Sequence, residues 1–214
     1  KFLLGVDLEA LRKERDSEGC SMIPNAGIMV FSYEDGNYQI QQVPVEPENF
    51  IYHVEDKTVH FYYVRHGETL FNHYNRMQGR SDSPLTAQGI EQVKLSAKAL
   101  RNINFAFAYC SSAERARDTA SYILESHDIS AVPNQDLREI NFGTYEARVR
   151  DSIMDELYER FNPCVNFSDV GGESEEQVIE RIQRILTLVL ARAKDGDNVL
   201  LVAHGSLYMT LLKH

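Results

Sequence analysis

The chain switches between two hydrophobic periods. Residues 27–34, GIMVFSYE, are apolar, β-branched and aromatic enough for a strand, and Asp35-Gly36 signals a tight hairpin before a return strand over 37–44. Pro44 and Pro47 act as breakers, so 45–56 reads as irregular. Residues 57–65, KTVHFYYVR, predict a second strand region. The period then lengthens. Ile90, Val93, Ala97 and Leu100 recur at helical spacing behind Thr86, a residue suited to cap the helix. A strand FAFAYCS (105–111) and a helix over 113–126 follow, and 148–161 is amphipathic. Ser174 with Gln177 forms a capping box ahead of a long helix whose apolar face carries Val178, Ile182, Ile185 and Val189. Gly196 ends that region. The run NVLLVA (198–203) is continuously apolar, as in a strand buried on both faces, and it stops at His204-Gly205 before a helical 206–214. This alternation predicts a three-layer α/β/α sandwich with a mostly parallel sheet.

Composition narrows the picture without changing it. The chain has 214 residues, 43% hydrophobic and 25% charged, which suits one large domain or two small ones. No apolar run approaches the roughly 18 residues of a membrane span. No basic stretch followed by an apolar one opens the chain, so a cytoplasmic protein without a secretory signal is expected. Cys20, Cys110 and Cys164 lack paired spacing and read as free thiols. The net charge of −10 argues against nucleic acid as a partner. An anionic substrate would therefore need a local cationic pocket.

Ligands of α/β sheets gather at the carboxyl ends of strands. Arg65-His66, Arg115, Glu139 and His204-Gly205 all fall at or just beyond predicted strand ends. Arginines grip a phosphoryl dianion through forked, charge-assisted hydrogen bonds. A neutral imidazole can attack phosphorus, and a carboxylic acid can protonate the leaving alkoxide. Each piece also has a plainer reading: a lone Arg-His-Gly as a turn, Glu139 as a surface carboxylate, His204 as a strand-end residue. A metal site is disfavoured because the set is arginine-rich and lacks His-x-x-His spacing. His53, His60, His73, His127 and His214 read as surface or packing residues.

The blocks VRHGETLFN (64–72), RMQGRSDSPLTAQGIEQ (76–92), SSAERARDTA (111–120), LREINFGTYE (137–146), GGES (171–174) and LLVAHG (200–205) together resemble the histidine phosphatase superfamily, with its phosphoglycerate mutase-like fold, over about 57–214. The resemblance implies that His66 is the nucleophile that becomes phosphohistidine. It implies that Arg65, Arg115 and His204 surround the phosphoryl group, and that Glu139 is general acid and then base. Asn72 would lie near the phosphoryl oxygens, with Gly67 and Gly205 allowing close backbone approach and Gln78 and Gly79 bordering the substrate. The family needs neither metal nor other cofactor. A small phosphorylated metabolite would be the partner, with no nucleic acid or membrane, and the protein a monomer or homodimer.

DSPLTAQG and LREINFGTYE resemble the phosphatase branch, whereas mutases tend to carry a tryptophan in the first block and a different acid block. This chain has no Trp. Tyr145 stands where many phosphatases have one, and Ala147 where a glycine is common. Three activities stay open: a phosphomonoesterase, a phosphoglycerate mutase or bisphosphatase, and a catalytically weak phosphate-binding scaffold. The rim of specificity would come from 145–172, with Tyr145, Arg148, Arg150, Tyr158 and Phe161.

The residues ahead of the Arg-His-Gly strand resemble the family's carboxyl-terminal part: KFLLGVDLEALRKERDSEGC continues the helical region after His204, and SMIPNAGIMVFSYEDGNYQIQQV looks like its last strand and hairpin. One domain in circularly permuted order is the expectation. Residues 1–44 would match the family's carboxyl-terminal part, 45–56 would be a linker, and 57–214 the amino-terminal and central part. An independent amino-terminal module, or the tail of an upstream tandem copy, would give the same segment order. The distinguishing feature is whether 27–34 pairs in the same sheet as 198–203.

Overall fold

The computed structural model describes residues 24–34, 37–50 and 58–213. The hairpin signal at Asp35-Gly36, the predicted helical region over 1–20, Cys20, His53 and His214 lie outside them.

Strands β1 (Ile28–Glu34), β2 (Asn37–Val45), β3 (Val59–Arg65), β4 (Phe105–Ser111), β5 (Val132–Asn134) and β6 (Asn198–Ala203) form one sheet in the order β2-β1-β3-β6-β4-β5. β3, β6, β4 and β5 run parallel, and β1 runs antiparallel to both its neighbours, β3 and β2. Side chains alternate along each strand, so the sheet feeds two cores. On one face Phe61, Tyr63, Val199 and Leu201 pack with α5 (Glu175–Leu190) and α6 (Gly205–Lys213). On the other Tyr62, Val64, Leu200 and Val202 pack with α2 (Ala87–Leu100) and α3 (Glu114–Leu124). The remaining helices are the short α1 (Leu70–His73) and α4 (Met154–Phe161). β6 is central and buried on both faces, as its unbroken apolar run predicts.

β1 lies antiparallel against β3, with Phe31 opposite Phe61, and so shares a sheet with β6 within one chain. The Phe31 and Phe61 rings stack at 4.8 Å.

Three local expectations need correction. Pro44 does not end the hairpin strand. It lies inside β2, at an end of the sheet, where a residue without an N–H is tolerated. The residues 45–56 are not wholly irregular, because Pro47–Asn49 form a 3₁₀ turn. Helix α2 buries Gly89, Val93, Ser96 and Leu100, whereas Ile90 and Ala97 are only partly covered. The contact face has rotated toward small residues because backbone approaches closely there. A Cβ at Gly89 would sit 2.0 Å from the Glu68 carbonyl, and Ser96 Oγ donates to Ala26 O at 2.6 Å. The predicted caps hold: Thr86 Oγ1 accepts from Gly89 N, and Ser174 and Gln177 form a reciprocal capping box.

Candidate active site

The sheet register builds the centre of the site. β3 and β6 pair with Arg65 opposite Ala203, so the residues that follow, His66 and His204, emerge side by side. Their rings lie 5.2 Å apart between centroids. The loop after β3 is drawn back by His66 N donating to Ala203 O and Gly67 N donating to Thr119 Oγ1. Both imidazoles are buried, His66 at 3% exposure and His204 at 0%.

Protonation follows from the partners. His66 Nδ1 lies 2.8 Å from Gly67 O, an acceptor only, so Nδ1 carries the hydrogen. Burial, then Arg115 and Arg65, hold the ring well below its ordinary value. A neutral ring with a protonated Nδ1 leaves the Nε2 lone pair available. In His204 the pattern is reversed. Arg115 Nη2, a donor only, lies 3.1 Å from Nδ1, which must accept, and Nε2 then donates to Ser111 Oγ at 2.7 Å. Burial and the same arginine keep His204 well below its ordinary value too. Tyr63 fixes the His204 backbone, its hydroxyl donating to the carbonyl at 2.7 Å and accepting from the amide at 3.1 Å.

Arg115, from the first turn of α3, is fully buried. It donates to Asp82 Oδ1 at 2.8 Å, Gly79 O at 3.0 Å and Ser81 O at 3.2 Å. Its Nε has no partner among the described residues. Arg65 ends β3, and burial pulls its guanidinium down to about 10 against the opposing pull of Glu139, with Arg150 and Arg115 adding to the lowering. Arg150, placed at the rim by its sequence position, is thus a third cation near the site.

Glu139 is 5% exposed, so the surface reading of this carboxylate does not hold. It sits at the amino terminus of α6. Oε1 accepts from Leu207 N at 2.8 Å and Ile140 N at 3.0 Å, and Oε2 accepts from Ser206 N at 2.9 Å. Gly205, the first residue of α6, brings those amides round behind His204.

The remaining predicted residues form the wall. Asn72 Oδ1 accepts from Thr69 N at 3.1 Å. Gln78 is buried, its oxygen accepting from Thr69 Oγ1 at 2.7 Å and its nitrogen donating to Ser83 Oγ at 2.9 Å. Gly79 leaves no room for a side chain, because a Cβ would stand 2.2 Å from Ile140 O. The residues predicted at scattered strand ends therefore converge. Sequence reasoning gave no role to Ser111, Tyr63, Asp82 or Glu146. Glu146 holds the wall loop as a carboxylate that accepts from the amides of Gly79, Arg80, Ser81 and Phe142 and from Ser81 Oγ. Ser111 had a usable signal: it ends β4, the other neighbour of β6. Among the described residues no three His, Cys, Asp or Glu cluster as a metal site requires.

With that geometry in view, the family assignment can be made. Residues 61–214 match the histidine phosphatase superfamily (branch 1), and the chain belongs to it. It is 36% identical over 148 residues to a probable phosphoglycerate mutase GpmB of Enterobacter sp. (strain 638), covering 67% of this chain and 68% of that one. It resembles the crystal structure of phosphoglycerate mutase from Bacillus anthracis str. Sterne at TM-score 0.65 and 30% identity, over 71% of this chain and 77% of that one. It also resembles the alpha-ribazole phosphatase from Shigella flexneri at TM-score 0.60 and 26% identity, over 69% and 75%. A mycobacterial glucosyl-3-phosphoglycerate phosphatase matches at TM-score 0.63 and 28% identity, over 70% and 77%. The protein is an enzyme with the mixed α/β, phosphoglycerate mutase-like fold. No described helix is long and apolar enough to cross a membrane.

Proposed function

We propose that this enzyme hydrolyses a small phosphomonoester through a phosphohistidine on His66, without a metal. One observation carries the reading: a buried, neutral His66 whose Nδ1 is committed to Gly67 O, beside Arg65 and Arg115. In the first step Nε2 forms a bond to phosphorus as the ester P–O bond breaks. The departing alkoxide takes a proton from the Glu139 carboxyl. Oε2 accepts a single hydrogen bond, which leaves it the oxygen able to carry and release that proton. In the second step Glu139 takes a proton from water, the water oxygen bonds to phosphorus, and the N–P bond breaks to give phosphate and free His66. Arg65 and Arg115 match the phosphoryl charge that both steps carry.

The test is phosphate release from a panel of phosphomonoesters in excess chelator, for the parent and His66→Ala. Release that resists chelator and vanishes in the variant supports the reading. Undiminished release in His66→Ala removes this residue as nucleophile. Relatives described as phosphoglycerate mutases favour a second reading. Isomerisation of 3-phosphoglycerate only with a bisphosphate primer, and no free phosphate, would establish it. A protein that binds phosphate and turns over neither substrate would be the scaffold.

We also read the segment order as that of one circularly permuted domain. The antiparallel seat of β1 against β3, in the sheet that carries β6, supports this.

A further inference from the structure

We propose that Arg181 and Glu173 are positioning residues that clamp the backbone on both sides of Glu139 and so set its reach to the leaving group. The inference rests on the reading of Glu139 as general acid.

Arg181 is a problem for the core as such. It occupies the inner face of α5 among Val178, Ile182 and Ile185, and is 3% exposed. A buried guanidinium carries a large desolvation cost, and an apolar side chain of similar volume is often as stabilising. Its presence is accounted for by where its donors go. Nη1 donates to Asp136 O at 2.7 Å and to Arg138 O at 2.6 Å, the latter directly before Glu139. Nε donates to Glu173 Oε1 at 3.0 Å. Glu173 in turn holds the chain just after Glu139. Its Oε2 accepts from Asn141 N at 2.8 Å, and its own amide donates to Asn141 O at 2.9 Å. Arg80 Nη2 completes the array at 3.0 Å from Glu173 Oε1.

The acid loop is otherwise short of regular structure, running between 3₁₀ turns at Gln135–Leu137 and Gly143–Tyr145. The clamp fixes the Glu139 backbone from the α5 side, and the α6 amides fix its carboxylate. The clamp's hydrogen bonds go to Asp136, Arg138, Asn141 and Arg80 and not to His66, His204 or Arg115. Arg181 touches the phosphoryl end only as a minor charge near His204, so its main effect falls on proton transfer.

The experiment compares an alkyl phosphate, whose leaving group needs a proton, with p-nitrophenyl phosphate, whose leaving group does not. For Arg181→Met, kcat/KM, which reports phosphoryl transfer to His66 and not the later attack of water, should fall on the order of 10- to 100-fold for the alkyl phosphate and by about threefold at most for p-nitrophenyl phosphate. Arg181→Lys should recover part of the difference. In a Glu139→Gln background, Arg181→Met should add nothing to the leaving-group dependence. Equal losses on both esters would make Arg181 merely structural and overturn the proposal, as would no loss on either. If Arg181→Met does not fold, the Arg181→Met/Glu173→Gln pair, which removes both charges together, carries the same comparison, with Arg181→Lys beside it. Failure of the parent to release phosphate from any ester would instead overturn the reading of the reaction.

Discussion

His66 and His204 show how much of this site is decided by desolvation. Both rings are held well below 6.5, first by burial and then by Arg115. The unfolded chain takes up protons at the ordinary value, and the folded one only at lower pH. Between those limits the unfolded state binds more protons, so stability falls as pH falls. We expect the urea midpoint to drop from about pH 7.5 to about 5.5, and to drop less in His66→Asn, which removes one such group. An equal slope in both proteins would show that His66 is not held neutral. Ala147 makes a second case. It has φ +63°, a left-handed conformation that a Cβ disfavours, at the place where the family resemblance leads one to expect glycine. Ala147→Gly should stabilise the fold by about 0.5–1 kcal/mol, read as a higher urea midpoint. A lower midpoint would show that the αL cost is relieved elsewhere.

Among the elements, α2 is the one whose contact overrides its propensity. Glycine inside a helix usually costs about 1 kcal/mol relative to alanine, so Gly89→Ala ought to stabilise. The Cβ would stand 2.0 Å from Glu68 O and 2.8 Å from Glu68 N, both backbone atoms two residues past His66. Overpacking of this kind costs about 1–3 kcal/mol and shifts backbone. The clash exceeds the propensity gain, and we expect Gly89→Ala to lower both the melting temperature and phosphoryl-transfer activity. A more stable, fully active variant would mean that α2 can move away from the His66 loop without consequence.

At the level of the whole molecule, β1 and β2 lie in the same sheet as β3 and β6. Phe31 is fully buried and stacked on Phe61 of the strand that delivers Arg65 and His66. Phe31→Ala should cost about 3–5 kcal/mol. Activity and tertiary signal should be lost together in one transition. An independent amino-terminal module would behave differently: the main transition and activity would survive the substitution. That outcome would sink the permuted single-domain reading.

The amino-acid pattern by itself determined the order of the longer strands and helices, though not the short β5 and α1, together with the Thr86 cap, the Ser174 capping box and a candidate set of residues at the strand ends. Arg65, His66, Arg115, Glu139 and His204 were legible because strand ends in an α/β sheet collect ligands, and because their residue types suit a phosphoryl dianion. Periodicity reports which face of an element is apolar, but not what that face meets. The buried face of α2 is half legible for this reason: Val93 and Leu100 are buried as expected, while close backbone approach selects Gly89 and Ser96 over Ile90 and Ala97. Tertiary structure alone decided that Ser111 and Arg115 fix the tautomer of His204. It also decided that Glu146 ties the wall loop and that Arg181 enters a core to hold the acid loop. These are pairings between residues 43 to 93 positions apart, such as Arg181 with Arg138 and Ser111 with His204. Sequence spacing carries no information about them: the parallel register of β4 and β6 brings Ser111 to His204, and the seat of α5 beside the Gln135–Leu137 turn brings Arg181 to Arg138.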